Sequence, residues 1–203
     1  MYIVCFDLEG VLTPEVWISV SKSTGIEELK LTTRDISDYD ALMKNRIELL
    51  EKNKISLKEI QKIISNMNPL PGAKEFLSHI RNIAQTIIVT DSYIEFVMPF
   101  MKKLGFPLCF CHNLETNEDG MIIDYKIRIK EMKKQTVLAL KKLNYEIIAA
   151  GDSYNDIPML LEAKYGILFR PPQNVIDEFP QFPVVTEYSE LKSLISNYLG
   201  LSD

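Results

Sequence analysis

The chain has 203 residues, 23 Lys and Arg against 28 Asp and Glu, a formal net charge of −5 and 46% hydrophobic residues. That length suits one medium domain, or one domain carrying an insertion, and should bury about 70% of the unfolded surface without a disulfide or metal staple. The composition excludes disorder and fibrous repeats, and the acidic balance argues against nucleic acid or an anionic membrane as the main partner.

Residues 2–6 (YIVCF) form an apolar run that stops at Asp7 and reads as a buried strand. No basic segment precedes an apolar core here, so no secretory leader is expected, and no apolar run approaches a membrane span. Three cysteines (Cys5, Cys109 and Cys111) are an odd number in apolar surroundings, so the expected compartment is the cytoplasm. From Pro14 to Pro71 the pattern is helical. One helix covers 15–23 and stops at Gly25, a second covers 39–53, and a third covers 57–67 behind a Ser56/Glu59 capping box. This block is too long for an ordinary loop and reads as an inserted subdomain over the sheet's carboxyl edge.

Beyond it, strands at 86–90, 108–111, 147–150 and 166–169 alternate with helices at 73–83, 93–104, 133–143, 155–164 and 187–199. Ser92 and Glu95 have capping-box spacing at the start of the 93–104 helix, with Gly105 as its stop. Asn117-Glu-Asp-Gly120 reads as a hairpin turn. The alternation predicts an α/β fold, a Rossmann-like parallel sheet core over 1–13 and 72–203 with a helical cap at 14–71.

Three strand ends carry polar residues able to do chemistry: Asp7-Leu-Glu-Gly10, Thr90-Asp91-Ser92 and Gly151-Asp-Ser-Tyr-Asn-Asp156. Ligands of an open parallel sheet gather at the carboxyl ends of strands. One such aspartate is an ordinary turn or cap; three groups together exceed what capping explains. Asp7 and Glu9 lie on one side of an extended backbone, so one carboxylate can face a reacting centre while the other moves a proton. With Asp152 added, so much like charge calls for a hard cation, and all-oxygen ligation suggests Mg²⁺.

The ordered set DLEGVLT (7–13), a Thr closing the second core strand, a downstream Lys and GDSYND (151–156) resembles the haloacid dehalogenase-like phosphatase superfamily. PEVW (14–17), TTRDISDYD (32–40), LMKNRIELL (42–50) and AAGDSYND resemble its phosphoserine phosphatase group, in particular the ThrH-type phosphoserine phosphatase/homoserine phosphotransferase branch. The resemblance implies that Asp7 attacks phosphorus to form an aspartyl-phosphate. Glu9, where most of the superfamily has Asp, would protonate the leaving alcohol and then activate water. Its backbone carbonyl would join the carboxylates of Asp7 and Asp152 on Mg²⁺, and Asp156 would support water bound to the cation.

On the same resemblance, Thr90 and the backbone after it, from Asp91 on, would hold phosphoryl oxygens, Asn155 would orient the phosphate, and Lys133 would neutralise the transferring group. Glu15 would meet the substrate ammonium and Arg46 its carboxylate. It also suggests a homodimer. Thr90-Asp91-Ser92 departs from the Ser-Gly-Gly of ordinary phosphoserine phosphatases.

Each assignment has a plainer competitor. Residues 126–142 hold seven basic residues and one acidic, a pattern usual for a solvated face, and Lys130 rivals Lys133. Cys109-Phe-Cys-His112 reads as buried strand rather than metal site, and Trp17 as cap packing. The expected function is Mg²⁺-dependent hydrolysis of O-phosphoserine, with homoserine as an alternative phosphoryl acceptor. The rivals are a phosphatase of the same type for another small phosphomonoester and a receiver-like phospho-aspartate binding module.

Overall fold

The computed structural model of the chain describes residues 1–32 and 38–201. Among them, seven strands form one sheet: β1 (Tyr2–Phe6), β2 (Gln85–Tyr93), β3 (Cys109–Thr116), β4 (Ile122–Lys126), β5 (Glu146–Gly151), β6 (Tyr165–Phe169) and β7 (Val184–Val185). Their order is β4-β3-β2-β1-β5-β6-β7. All neighbours run parallel except β3 and β4, which are antiparallel. Strand order reverses at β1, where the chain leaves for β2 on one side and returns as β5 on the other.

Strand periodicity divides the apolar residues between two faces. Val4, Phe6, Ile88 and Ile148 join one buried cluster, while Ile3, Cys5, Ile87 and Ile147 join the other. The first face is covered by α4 (Ala73–Ile83), α5 (Ile94–Lys103) and α9 (Tyr188–Tyr198); the second by α6 (Met132–Lys142), α7 (Ile157–Glu162) and α8 (Gln173–Glu178). Phe6, fully buried, meets Phe76 edge-on with centroids 5.4 Å apart. Truncating such a ring to Ala costs about 3–5 kcal/mol.

Between β1 and β2 lie α1 (Val16–Thr24), a 3₁₀ turn (Glu27–Lys30), α2 (Tyr39–Lys52) and α3 (Leu57–Asn66). Gly25, at φ 74°, ends α1, and the Ser56/Glu59 capping box opens α3. Val16, Val20, Met43, Ile60 and Ile64 join the first cluster, so the helical segment and the sheet share apolar packing. Polar ties reinforce it. Lys103 of α5 donates to the carbonyls of Ser65 (2.8 Å) and Met67 at the end of α3, and Gln61 donates to the Glu95 carbonyl (3.1 Å). Leu57 N–H donates to the carbonyl of Gly120 in the β3–β4 hairpin (2.9 Å).

Local reading fails at one junction. β2 continues through Tyr93, and Ser92 makes no helix cap. The Glu95 carboxylate instead accepts from Leu114 N–H of β3 (3.0 Å), a tertiary partner that outcompetes the local box. Among the described residues, no helix is long and apolar enough to cross a membrane.

Candidate active site

The end of β1 is held by β5, since Asp7 N–H donates to the Ala150 carbonyl (3.0 Å). Asp7 and Asp152 therefore emerge side by side at the point where strand order reverses, the usual ligand crevice of such sheets. Gly10, at φ +83°, turns the chain back so closely that a β-carbon there would lie 2.6 Å from the Asp152 carboxylate. Gly151 has the same constraint: its β-carbon would lie 2.2 Å from Asp156 Cγ. Two glycines thus let three acids converge, and one carboxylate oxygen from each of Asp7, Asp152 and Asp156 lies within 4.8 Å of the others.

Lys133, 3% exposed, sits among them. Its Nζ is 2.7 Å from Asp156 Oδ1, 3.1 Å from Asp7 Oδ1 and 3.6 Å from Asp91 Oδ2. Burial opposes its charge, but Asp156, Asp7 and Asp91 prevail and hold it protonated well above the ordinary lysine value. Lys130 is exposed. Lys130 lies in the turn before α6, whereas Lys133 shares the helix's buried face with Met132, Thr136 and Val137.

Asp7 is pushed well above the ordinary carboxylate value by burial, then by the charges of Asp156, Asp152 and Asp91, with Lys133 as a partial offset. Its Oδ1 also accepts from Leu8 N–H (2.7 Å). Asp156 is fully buried and committed to the protein: Lys133 donates to Oδ1, and the N–H groups of Asp152 (2.9 Å) and Ser153 (3.1 Å) donate to Oδ2.

At the end of β2, Thr90 is buried and its hydroxyl accepts from Ser92 N–H (3.3 Å), shaping the turn. Asp91 accepts from Asn155 Nδ2 (3.0 Å) and faces Lys133. Burial would raise Asp91, but Lys133, His112 and Asn155 outweigh it and hold the carboxyl far below its usual range. The sequence marks His112 only as part of a buried strand. Its Nδ1 accepts from Arg128 N–H (3.2 Å), so the proton is on Nε2, which faces Asp91 Oδ1 at 3.8 Å. The β2–β3 register, which pairs Tyr93 with His112, brings it there.

A second group lies against the helical segment. Glu9 Oε2 accepts from Val16 N–H (2.9 Å), the first residue of α1. Glu15 hydrogen-bonds Glu9, and burial followed by the charges of Glu9 and Asp152 pushes its carboxyl up to about 8. Arg46, 7% exposed, stacks 4.5 Å over the Trp17 ring and donates to the Leu31 carbonyl (2.7 Å). Trp17 itself packs edge-on against Phe96. Arg46 thus lies within electrostatic reach of Glu9 and Glu15. The sheet-edge residues Asp7, Thr90, Asp91, Lys133, Asp152, Asn155 and Asp156 form one group, and Glu9, Glu15 and Arg46 extend it under the helices. Of the segment TTRDISDYD, residues 33–37 lie outside the described residues.

Residues 1–164 match the family described as haloacid dehalogenase-like hydrolase. The chain is 51% identical over 192 residues to phosphoserine phosphatase ThrH of Pseudomonas aeruginosa, covering 95% of this chain and 94% of that protein. It is 53% identical over 190 residues to a phosphoserine phosphatase of Pseudomonas syringae pv. tomato, covering 94% and 80%. Among solved structures it resembles phosphoserine phosphatase from T. onnurineus, with TM-score 0.75, 22% identity and coverage of 97% and 94% of the two chains. The matched span contains all three strand-end groups and Lys133, and the chain belongs to the haloacid dehalogenase-like hydrolase family.

Proposed function

We propose that the chain hydrolyses O-phosphoserine to serine and phosphate with Mg²⁺, passing the phosphoryl group through Asp7. The observation that carries this reading is Lys133 Nζ at 3.1 Å from Asp7 Oδ1, with Asp152 across the crevice. The phosphoserine phosphatases of half-identical sequence support the substrate.

Asp7 Oδ1 is occupied by Leu8 N–H and Lys133, which leaves Oδ2 to attack phosphorus. The P–O bond to serine breaks as the P–O bond to Asp7 forms, and the departing alkoxide takes its proton from Glu9. Glu9 then removes a proton from water, whose oxygen attacks phosphorus and releases phosphate and the free Asp7 carboxylate. Lys133, Thr90, the backbone at Asp91 and Asn155 are the candidates for orienting the phosphoryl group. Glu15 meets the ammonium and Arg46 the carboxylate of the amino acid.

The donor set fits Mg²⁺, because it consists of clustered carboxylates with neither thiolate nor imidazole among them. Asp7, Asp152 and the Glu9 carbonyl would hold the ion, while Asp156 is already committed to Lys133 and backbone N–H groups. When bound, Mg²⁺ neutralises the acids and withdraws charge from the phosphoryl oxygens.

In this reading residues 14–71 are a cap over a core of 1–13 and 72–203, in a cytoplasmic enzyme that forms a homodimer. The aspartyl-phosphate can equally pass to the hydroxyl of homoserine placed beside Glu9. The test is phosphate release from O-phosphoserine with and without Mg²⁺, in the native chain and in Asp7→Asn, repeated with homoserine and the products separated. Turnover abolished by Asp7→Asn is expected; no turnover of phosphoserine by the native chain sinks the reading.

A further inference from the structure

Three tyrosines meet where the helical segment crosses the sheet edge. Tyr39 opens α2, Tyr93 ends β2 two residues beyond Asp91, and Tyr125 lies on β4. The hydroxyl oxygens of Tyr39 and Tyr93 are 2.7 Å apart. The Tyr125 ring meets both others edge-on, with centroids 5.8 and 6.2 Å apart, and its own hydroxyl donates to Asp40. Edge-to-face packing explains the three aromatic bodies, but phenylalanines would pack as well. The packing does not explain the hydroxyls of Tyr39 and Tyr93.

Counting protons shows what they offer. Two O–H groups face each other, and one proton fills the bond between them. The other proton has no protein acceptor among the described residues; Tyr93 is 1% exposed, and Tyr39 is half-buried, so a ligand can reach the pair from its side. Arg46, which is within electrostatic reach of both phenols, cannot accept it. Its guanidinium has a spare donor too: NH2 is used by the Leu31 carbonyl and NH1 lies 3.6 Å from Met43 Sδ, but Nε is buried with no partner. Near one another there are thus a phenolic O–H and the Arg46 Nε–H, neither with a protein acceptor among the described residues. Buried donors left unpaired are costly, and a ligand that brings oxygen acceptors removes the cost.

We propose that the Tyr39–Tyr93 hydroxyl pair determines specificity by donating to one carboxylate oxygen of the amino-acid substrate whose other oxygen is met by Arg46. The inference rests on the reading of the chain as a phosphatase of a phosphorylated amino acid. Burial pushes Tyr39 up to about 12 and Tyr93 higher still, so both hydroxyls remain protonated and able to donate. Tyr39 belongs to the helical segment and Tyr93 to the sheet. The carboxylate is thus read by a pair that exists only while the two are together, and a phosphate ester lacking a carboxylate gains nothing from it.

The test uses Tyr39→Phe, Tyr93→Phe and the double variant, which keep the ring packing and remove the oxygens. KM and kcat for O-phosphoserine are compared with the inhibition constant of inorganic phosphate, which fills the phosphoryl site and has no carboxylate. KM is expected to rise about tenfold in the double variant, the usual effect of losing a hydrogen bond to a charged group. The phosphate inhibition constant and kcat should stay within about twofold, since neither involves the carboxylate. An unchanged KM overturns the inference. So does a parallel rise in KM and the phosphate constant, or a fall in kcat alone, which would make the pair a structural latch. Thermal melting of each variant separates these outcomes from misfolding. If the native chain fails to turn over phosphoserine, the functional reading fails; normal turnover with insensitive variants ends this inference alone.

Discussion

Gly10 lies so close to Asp152 that a β-carbon on it would stand 2.6 Å from the carboxylate, on a backbone already at φ +83°. The acid loop after β1 and the acid after β5 therefore approach only because residue 10 has no side chain. Gly10→Ala is expected to displace Asp152 and raise the Mg²⁺ concentration for half-maximal activity by about 10–100-fold, the range seen when the support of a metal ligand is disturbed. Titrating activity against Mg²⁺ checks this. An unchanged midpoint would mean that Asp152 tolerates the shift.

Asp7 binds a proton more tightly in the folded chain than in the unfolded one, because burial and three neighbouring acids oppose its charge. Without a divalent cation its ionisation lowers stability as pH rises from the ordinary value of 3.8 toward the raised folded value. Asp7→Asn removes that penalty and leaves Lys133 paired with Asp156 and Asp91. In EDTA near neutral pH the variant should melt at least about 2 °C above the native chain, the shift expected for 1 kcal/mol at this size. Mg²⁺ should then raise the Tm of the native chain and leave the variant nearly unmoved. A lower Tm for the variant in EDTA contradicts the argument.

Lys133→Ala leaves Asp7 and Asp156 buried without their cation. Breaking such a buried pair costs about 3–5 kcal/mol, and loss of the charge facing the phosphoryl group should lower kcat by about a thousandfold. Because the folded value of Lys133 is raised, its stabilising charge is complete below 10.5 and fades only as pH climbs through the higher folded value. Lys130→Ala, at an exposed position, should change neither Tm nor kcat. Thermal and denaturant melts with steady-state rates on both variants decide the matter, and equal effects would dissolve the distinction between the two lysines.

Glu15 is neutral in the main at pH 7 and charged above about 8. An ammonium bound to its carboxylate should therefore bind better as pH rises through that value, until the ammonium itself deprotonates. Over that interval KM for phosphoserine should fall by up to about tenfold, since one unit below its pKa only about a tenth of an acid is ionised. Glu15→Gln should flatten the profile. A KM that is independent of pH in the native chain would detach Glu15 from the ammonium.

Much of the framework was legible because local pattern and tertiary environment agree. YIVCF stops where Asp7 leaves the sheet, Gly25 ends α1, and Ser56/Glu59 cap α3. The Ser92/Glu95 box failed because Glu95 found the Leu114 N–H on a neighbouring strand, a partner that no local window contains. β7, of two residues, and α8, of six, are too short for periodicity to mark. The pattern that opens the helix favours Lys133 but leaves Lys130 as a rival; in three dimensions Lys133 is on the buried face of α6 and Lys130 in the exposed turn before it. His112 and Tyr93 depend on the β2–β3 register, and Tyr39 on how α2 meets the sheet. Aspartates at strand ends advertise themselves in sequence; the residues that orient them are fixed by three-dimensional adjacency.

The central position of β1 also has a temporal meaning. Translation completes β1 before either flanking strand, and β2 follows only after the whole helical segment, β5 later still. Domains tend to fold as units once their partners exist. A growing polypeptide therefore carries Asp7 and Glu9 long before Lys133 or Asp152 has been made. The cluster of acids is complete only where β5 lies beside β1, so a cation that needs both Asp7 and Asp152 can favour only chains in which that pairing has formed.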